Sequence, residues 1–361
     1  MLQCSNAVRR FKKDILRRFG GKLFALGGAF LLLWSLTAAG PIEPPQNSAP
    51  QQKQPSPSPP PDNEGQVLLP PAAPPKTSDK DDFRLKVEAN LVVLNATVLD
   101  KNSKPVTDLG QNDFQVFENG VEQKLKVFKR EDVPVSVGLI VDNSGSMRDK
   151  RKGVNAAALK FVRTSNPMDE VFIVNFNDES FLDADFTDNM KLLEEGLEKI
   201  DSRGGTALYD ALEMSLKYLT ERGTRDKKVL LVITDGEDNA SRLSLEQVVK
   251  SVQHSNAVIY TVGLLANEGG HSLRRAKRAL EALSKASGGA AFFPKNPAEV
   301  DSIATAISND IRNQFVLAYT PTNLSHDGSF RKVEVKVNSR KYGKLLVRTR
   351  TGYYAKEQTA G

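Results

Sequence analysis

The residues of this chain that could do chemistry are oxygen donors. Asp142-Asn143-Ser144-Gly145-Ser146 follows the apolar run VSVGLIV (135–141), and Asp235-Gly236-Glu237-Asp238 follows VLLVIT (229–234). Between them Gly204-Gly205-Thr206 leads into a segment bearing Leu208. Asp142, Ser144, Ser146, Thr206 and Asp235 are hard ligands of the kind that hold small divalent cations. In D-x-S-x-S the donors recur at every second residue, so a tight turn aims all three at one point, and Gly145 permits that turn. Two carboxylates roughly neutralise the ion, and three hydroxyls complete the protein's share without adding charge. A position stays open for an incoming oxygen, best supplied by a carboxylate of a partner. The chemistry implied is adhesion through a shared metal. Each residue also has a plainer role. An Asp after a strand makes a turn, Thr206 can cap the helix it precedes, and Asp235-Gly236 can be a bare turn. Their occurrence together favours the metal.

Other chemistries find little support. The single cysteine is Cys4, and His254, His271 and His326 lack ligand-like spacing. The site loops hold no histidine, cysteine or lysine to serve as a base. An Asn143-Ser144-Gly145 nucleophile would lack its histidine. Glu237 and Asp238 read as solvated rim charges, and Asp183 and Asp185 as protection of an edge strand. Asn95, Asn239 and Asn323 each open an N-x-S/T triplet, which matters only in a eukaryotic secretory route.

The elements that must position these residues are strands alternating with helices. VSVGLIV, VFIVNF (171–176), VLLVIT and VIYTVG (258–263) are continuous apolar runs, as in central strands covered on both faces. Helical stripes run through Met190, Leu193, Leu197 and Ile200, and through Leu208, Leu212, Leu216 and Leu219. Ser244 and Gln247 form a capping box before Val248 and Val252. A stripe from Leu273 to Leu283 ends at Gly288-Gly289. Asn296 with Pro297 predicts the start of a helix over 297–312. The alternation predicts an α/β fold with a doubly wound, mostly parallel sheet, whose ligand site lies at the carboxyl ends of its strands.

β segments flank this domain. In 83–131, Asn119-Gly120 between FQVF and VEQKLKVF predicts a hairpin, with Phe114 and Val116 alternating on one side of the turn and Leu125 and Val127 on the other. In 314–355, Val333, Val335 and Val337 alternate with charges, and Leu345 and Val347 continue into a second strand past Gly343. Neither segment is large enough to stand alone. The expectation is that they pair into one β-sandwich around the inserted domain.

The 361 residues carry a formal charge of +6. Residues 1–22 hold seven basic residues against Asp14, and the rest of the chain holds 43 of each sign. A nucleic-acid partner is therefore not expected. A basic block before the uncharged stretch 23–42 reads as an export signal, cleaved or retained as a membrane anchor. Residues 41–75 contain 13 of the 19 prolines, an extended spacer. The organisation expected is a signal or anchor (1–40), a Pro-rich linker (41–82), a β module (83–131), the α/β domain (132–313), a C-terminal β segment (314–355) and a tail (356–361). The body would lie in the periplasm, at the cell surface or outside the cell.

On the D-x-S-x-S run after its strand, G-G-T-x-L-x-x-A-L at 204–212 and I-T-D-G at 233–236, the central segment resembles a von Willebrand factor A-type domain with its metal-ion-dependent adhesion site. The flanks, DFQVFENGVEQKLKVF before it and RNQFVLAYTP, FRKVEVKV and RTRTGYY after it, resemble a bacterial exported family of A-domain-related proteins. The resemblance implies a six-stranded sheet with SFLDADF (180–186) as its antiparallel edge. It implies that Asp142, Ser144, Ser146 and Thr206 contact the ion, and that Asp235 does so directly or through water. The ion is usually Mg²⁺, replaceable by Mn²⁺. The function implied is a non-enzymatic, exported binding protein that grips an acidic residue of a protein partner. A purely structural ion in an envelope protein is the alternative, and a metal-dependent hydrolase a weaker one.

Overall fold

The computed structural model describes residues 91–130, 132–199, 202–265, 270–296 and 299–357. All belong to one compact unit, Pro74–Gly361. The expected export segment 1–40 and the Pro-rich stretch 41–82 lie outside the described residues. Among those described, no helix is long and apolar enough to cross a membrane.

Four strands precede the α/β domain: β1 (Val92–Leu99), β2 (Phe114–Glu118), β3 (Val121–Gln123) and β4 (Leu125–Lys129). The domain itself runs β5 (Val135–Asp142), α1 (Arg151–Thr164), β6 (Glu170–Phe176), β7 (Ser180–Thr187), α2 (Met190–Glu198), α3 (Leu208–Arg222), β8 (Lys227–Thr234), α4 (Leu245–His254), β9 (Val258–Gly263), α5 (Gly270–Ser287), β10 (Ala291–Phe292) and α6 (Val300–Arg312). Strands β11 (Phe315–Tyr319), β12 (Phe330–Val337), β13 (Leu346–Arg348) and β14 (Gly352–Tyr354) follow.

The central sheet has the order β10-β9-β8-β5-β6-β7, parallel except for the edge strand β7. Every residue of β5 is buried, because helices cover both faces. One core layer joins the sheet to α1, α2 and α6, and the other joins it to α3, α4 and α5. At the centre of β5 a side chain on Gly138 would stand 2.4 Å from Phe172 Cζ and 2.6 Å from Leu230 Cδ2. The chain leaves β5 toward β6 and leaves β8 toward β9, so the sheet reverses its winding between β5 and β8. Their carboxyl ends therefore border the crevice where such sheets take ligands.

Ser244 and Gln247 make the expected capping box, Ser244 N donating to Gln247 Oε1 at 2.8 Å. Two helical expectations need correction. α6 begins at Val300 with Glu299 before it, and Asn296 bonds the Glu299 carboxylate instead of capping the helix; Pro297 lies outside the described residues. α1 was not expected. Of its five buried residues, Val154, Ala157, Ala158, Leu159 and Phe161, two are alanines, which makes a pattern too weak to stand out in the sequence.

The flanking strands form two four-stranded sheets, β13-β1-β11-β4 and β14-β12-β2-β3. Each mixes strands from before and after the α/β domain, and one apolar core joins them. Tyr319 of the first sheet and Tyr353 of the second both donate to Glu118 Oε2 at 2.8 Å. The hairpin turn at Asn119-Gly120 has positive φ at both residues, 48° and 84°, as the twist of a two-residue turn requires. The expected hairpin is shorter than its sequence suggests. β3 ends at Gln123, and β4 crosses to the other sheet, where it pairs with β11. Phe114 and Val116 thus lie in one sheet, and Leu125 and Val127 in the other. Likewise β13 pairs with β1 and not with β12, whose partners are β2 and β14.

Candidate metal centre

The five oxygen-bearing residues come together at the carboxyl ends of β5 and β8. The β5–β8 register sets Val141 opposite Ile233, which brings the next residues level. Thr234 Oγ1 donates to Asp142 Oδ2 at 2.6 Å across this step. Ser144 N donates to Asp142 Oδ1 at 2.7 Å, closing a turn. Ser144 Oγ and Ser146 Oγ are 3.2 Å apart, and Ser146 Oγ donates to Asp235 Oδ1 at 2.7 Å. An unbroken chain of contacts thus links Asp142, Ser144, Ser146 and Asp235.

Thr206 arrives on the neighbouring loop. Gly145 N donates to Gly204 O at 3.2 Å, and Arg203 N donates to Asn143 O at 2.9 Å. A Cβ on Gly236, next to Asp235, would lie 3.7 Å from Thr206 Oγ1. The loop is held from outside: Gly205 N donates to Asp178 Oδ1 at 2.7 Å, and Thr206 N to Asn239 Oδ1 at 2.9 Å. Gly204 has φ of +74°, and a side chain there would strike Asp178 Oδ2 at 2.1 Å. Glycine is needed because carboxylate and backbone meet so closely. The cap of α3 is not Thr206. Tyr209 N donates to Asp238 Oδ2 at 2.9 Å, and Asp210 N to Ser241 Oγ at 3.1 Å. Asp238, expected as a rim charge, is therefore a helix cap, while Glu237 pairs with Arg275. On the edge strand, Asp183 accepts from Asn175 Nδ2 at 2.8 Å and Asp185 from Tyr218.

Asp142 is fully buried, and burial, with Asp235 nearby, pushes its carboxyl up to about 6 despite hydrogen bonds from Thr234 and Ser144. Among the described residues no ammonium or guanidinium lies within ion-pair distance of it. Two adjacent buried carboxylates with three hydroxyls are a donor set suited to a small, hard divalent cation, so the residues present fit that group.

Three participants were not foreseen. Thr234, Asp178 and Asn239 position the donors, but each depends on a strand register or loop approach that spacing does not reveal. Lysine was expected to be absent from the site, yet Lys150 Nζ lies 2.5 Å from Asp235 Oδ2.

Residues 137–237 match the family model of the von Willebrand factor type A domain. Calcium-activated chloride channel regulator 1 of Mus musculus is 25% identical over 183 residues, 48% of this chain and 18% of the regulator. Its Equus caballus counterpart is 27% identical over 178 residues, again 18% of that protein. The chain thus spans under a fifth of these curated relatives. Among solved structures, an aerotolerance-related membrane protein from Bacteroides fragilis is 21% identical with a TM-score of 0.41, covering 49% of this chain and 98% of that one. The vWF domain of the type V pili tip protein Mfa5 from Porphyromonas gingivalis is 16% identical with a TM-score of 0.41, covering 50% and 97%. The stretch from β5 to the loop after β8 is thus similar to a von Willebrand factor type A domain over residues 137–237.

Proposed function

We propose that this chain is an exported binding protein whose A domain engages a protein partner through a divalent ion, the partner supplying a carboxylate. The observation that carries the reading is the pair of buried carboxylates, Asp142 and Asp235, set among Ser144, Ser146 and Thr206 where the sheet reverses its winding. These five residues would hold Mg²⁺ or Mn²⁺. The bound ion would supply an electrophilic position for an oxygen of the partner. Thr234 and Ser144 N fix the orientation of Asp142, and Asp178 and Asn239 hold the Thr206 loop in place. Exposed Arg148 and Arg203 at the loop rims favour an acidic partner. Export rests on the basic block and apolar stretch of residues 1–42, and the Pro-rich linker would hold the folded body away from an anchoring membrane.

The test is titration calorimetry with MgCl₂ and MnCl₂, followed by capture of envelope proteins in Mg²⁺ or in chelator. Asp142→Ala is expected to abolish ion binding and divalent-dependent capture while circular dichroism stays unchanged. Binding by Asp142→Ala equal to that of the parent would overturn the proposal. Loss of fold together with capture in chelator would instead make the ion structural.

A further inference from the structure

Asp235 is already engaged on both oxygens. Ser146 Oγ donates to Oδ1 at 2.7 Å, and the Lys150 ammonium lies 2.5 Å from Oδ2. The pair is sheltered, with the lysine side chain 15% exposed and the aspartate 0%. Such a pair is screened far less than one on the surface. The backbone of Lys150 is fixed, its N–H donating to Met147 O at 2.9 Å and its carbonyl accepting from Val154 N at 3.1 Å. Only the four-carbon stem can move.

The placement runs against helix energetics. Lys150 is the N-terminal cap residue of α1 and is followed by Arg151 and Lys152. The first turn has no acidic residue and no side-chain cap. Cations at a helix N-terminus oppose its dipole, so this lysine does not serve the helix. It serves Asp235.

We infer that Lys150 is a tethered counter-cation of Asp235 that a divalent ion must displace, so that it sets the site's affinity for the ion. This rests on the reading of the site as a divalent-ion centre. An ammonium on Oδ2 competes with a divalent ion for the lone pairs and the charge of that carboxylate, and it repels the ion. While the ammonium is in place it ties the 142–150 loop to the end of β8 and leaves the two carboxylates with one excess negative charge. Entry of the ion swings the ammonium to the rim. The site then carries one excess positive charge, which suits a single carboxylate of a partner. Without the lysine that excess disappears, so Lys150 weakens ion binding and strengthens the attraction for the partner's acid.

The experiment compares the full-length protein with Lys150→Met and Lys150→Arg by calorimetric titration with MgCl₂ and by melting in chelator. Lys150→Met is expected to bind Mg²⁺ roughly tenfold more tightly and to melt below the parent in chelator, with the loss recovered in excess Mg²⁺. Lys150→Arg is expected to keep the parent's affinity. A second measurement uses the unmodified protein: amine acylation read by mass spectrometry should label Lys150 faster in Mg²⁺ than in chelator, with Lys152 unchanged. Equal or weaker Mg²⁺ binding by Lys150→Met, or labelling of Lys150 indifferent to Mg²⁺, would overturn the displacement while leaving the ion site intact. A parent protein that binds neither Mg²⁺ nor Mn²⁺ would overturn both.

Discussion

Replacing Asp142 by Asn should stabilise the fold while removing its response to divalent ions. The carboxyl is fully buried and held at about 6 against an ordinary 3.8. Such a rise corresponds to roughly 3 kcal/mol of folding free energy withheld at neutral pH. The sign follows from the protons bound. Below about pH 4 the group is protonated folded or unfolded, and no penalty exists. Between about 4 and 6 the unfolded chain loses its proton first, so stability falls as pH rises. Above 6 the penalty is complete. Asparagine keeps the shape, an oxygen for Ser144 N and a nitrogen that can donate to Thr234 Oγ1, without the charge. In chelator at pH 7.5 the variant should be more stable by about 1–3 kcal/mol, and at pH 4 nearly equal. With Mg²⁺ at a hundred times its dissociation constant the parent should gain about 2.7 kcal/mol and the variant little. The order of stability would then close or invert. Urea denaturation followed by circular dichroism in both buffers measures this. If Asp142→Asn is less stable than the parent in chelator at neutral pH, the two hydrogen bonds to the carboxylate outweigh its burial, and the reasoning fails.

Two other outcomes are expected. Lys227 is buried, its ammonium donates to the Ile311 carbonyl at the end of α6, and burial pushes it down to about 8 from 10.5. From pH 8 to 10 the folded form sheds this proton before the unfolded chain does, so the parent should gain stability as pH rises. Any advantage of Lys227→Met should shrink by up to about 3 kcal/mol over that range, measured by denaturation at stepped pH. Removing residues 83–131 takes both neighbours from β11 and takes β2 from β12. Limited proteolysis of the shortened chain should then digest 314–355 rapidly, and persistence of those strands would show that they fold without the N-terminal segment.

The parallel strands were legible because burial on both faces makes them continuous apolar runs, and the placing of Asp142 and Asp235 side by side was legible because each directly follows such a run. What escaped was information that only tertiary pairing contains. Thr234 reads as the last residue of a strand, and the β5–β8 register alone makes it a partner of Asp142. The β3–β4 step at Lys124 preserves an alternation that looks like one strand, although the chain changes sheets there. α1 hides because two of its five buried residues are alanines. Lys150 reads as a surface cation, since a long flexible stem gives no hint of where its end lies.

The way the α/β domain is inserted has a mechanical consequence. Its entry follows β4 and its exit leads into β11, and these strands are hydrogen-bonded neighbours. Tension applied at the carboxylate end of the domain therefore reaches the sandwich through two adjacent strand ends at once. From β11 it passes to β1, which is paired antiparallel over five positions from Val92–Tyr319 to Ala96–Phe315. A pull arriving at Phe315 and leaving through Val92 acts at opposite ends of that ladder. The rungs are then sheared together and do not open one after another. Any load taken up at the carboxylate end of the domain is in this way carried across the sandwich in the direction that antiparallel pairing resists best.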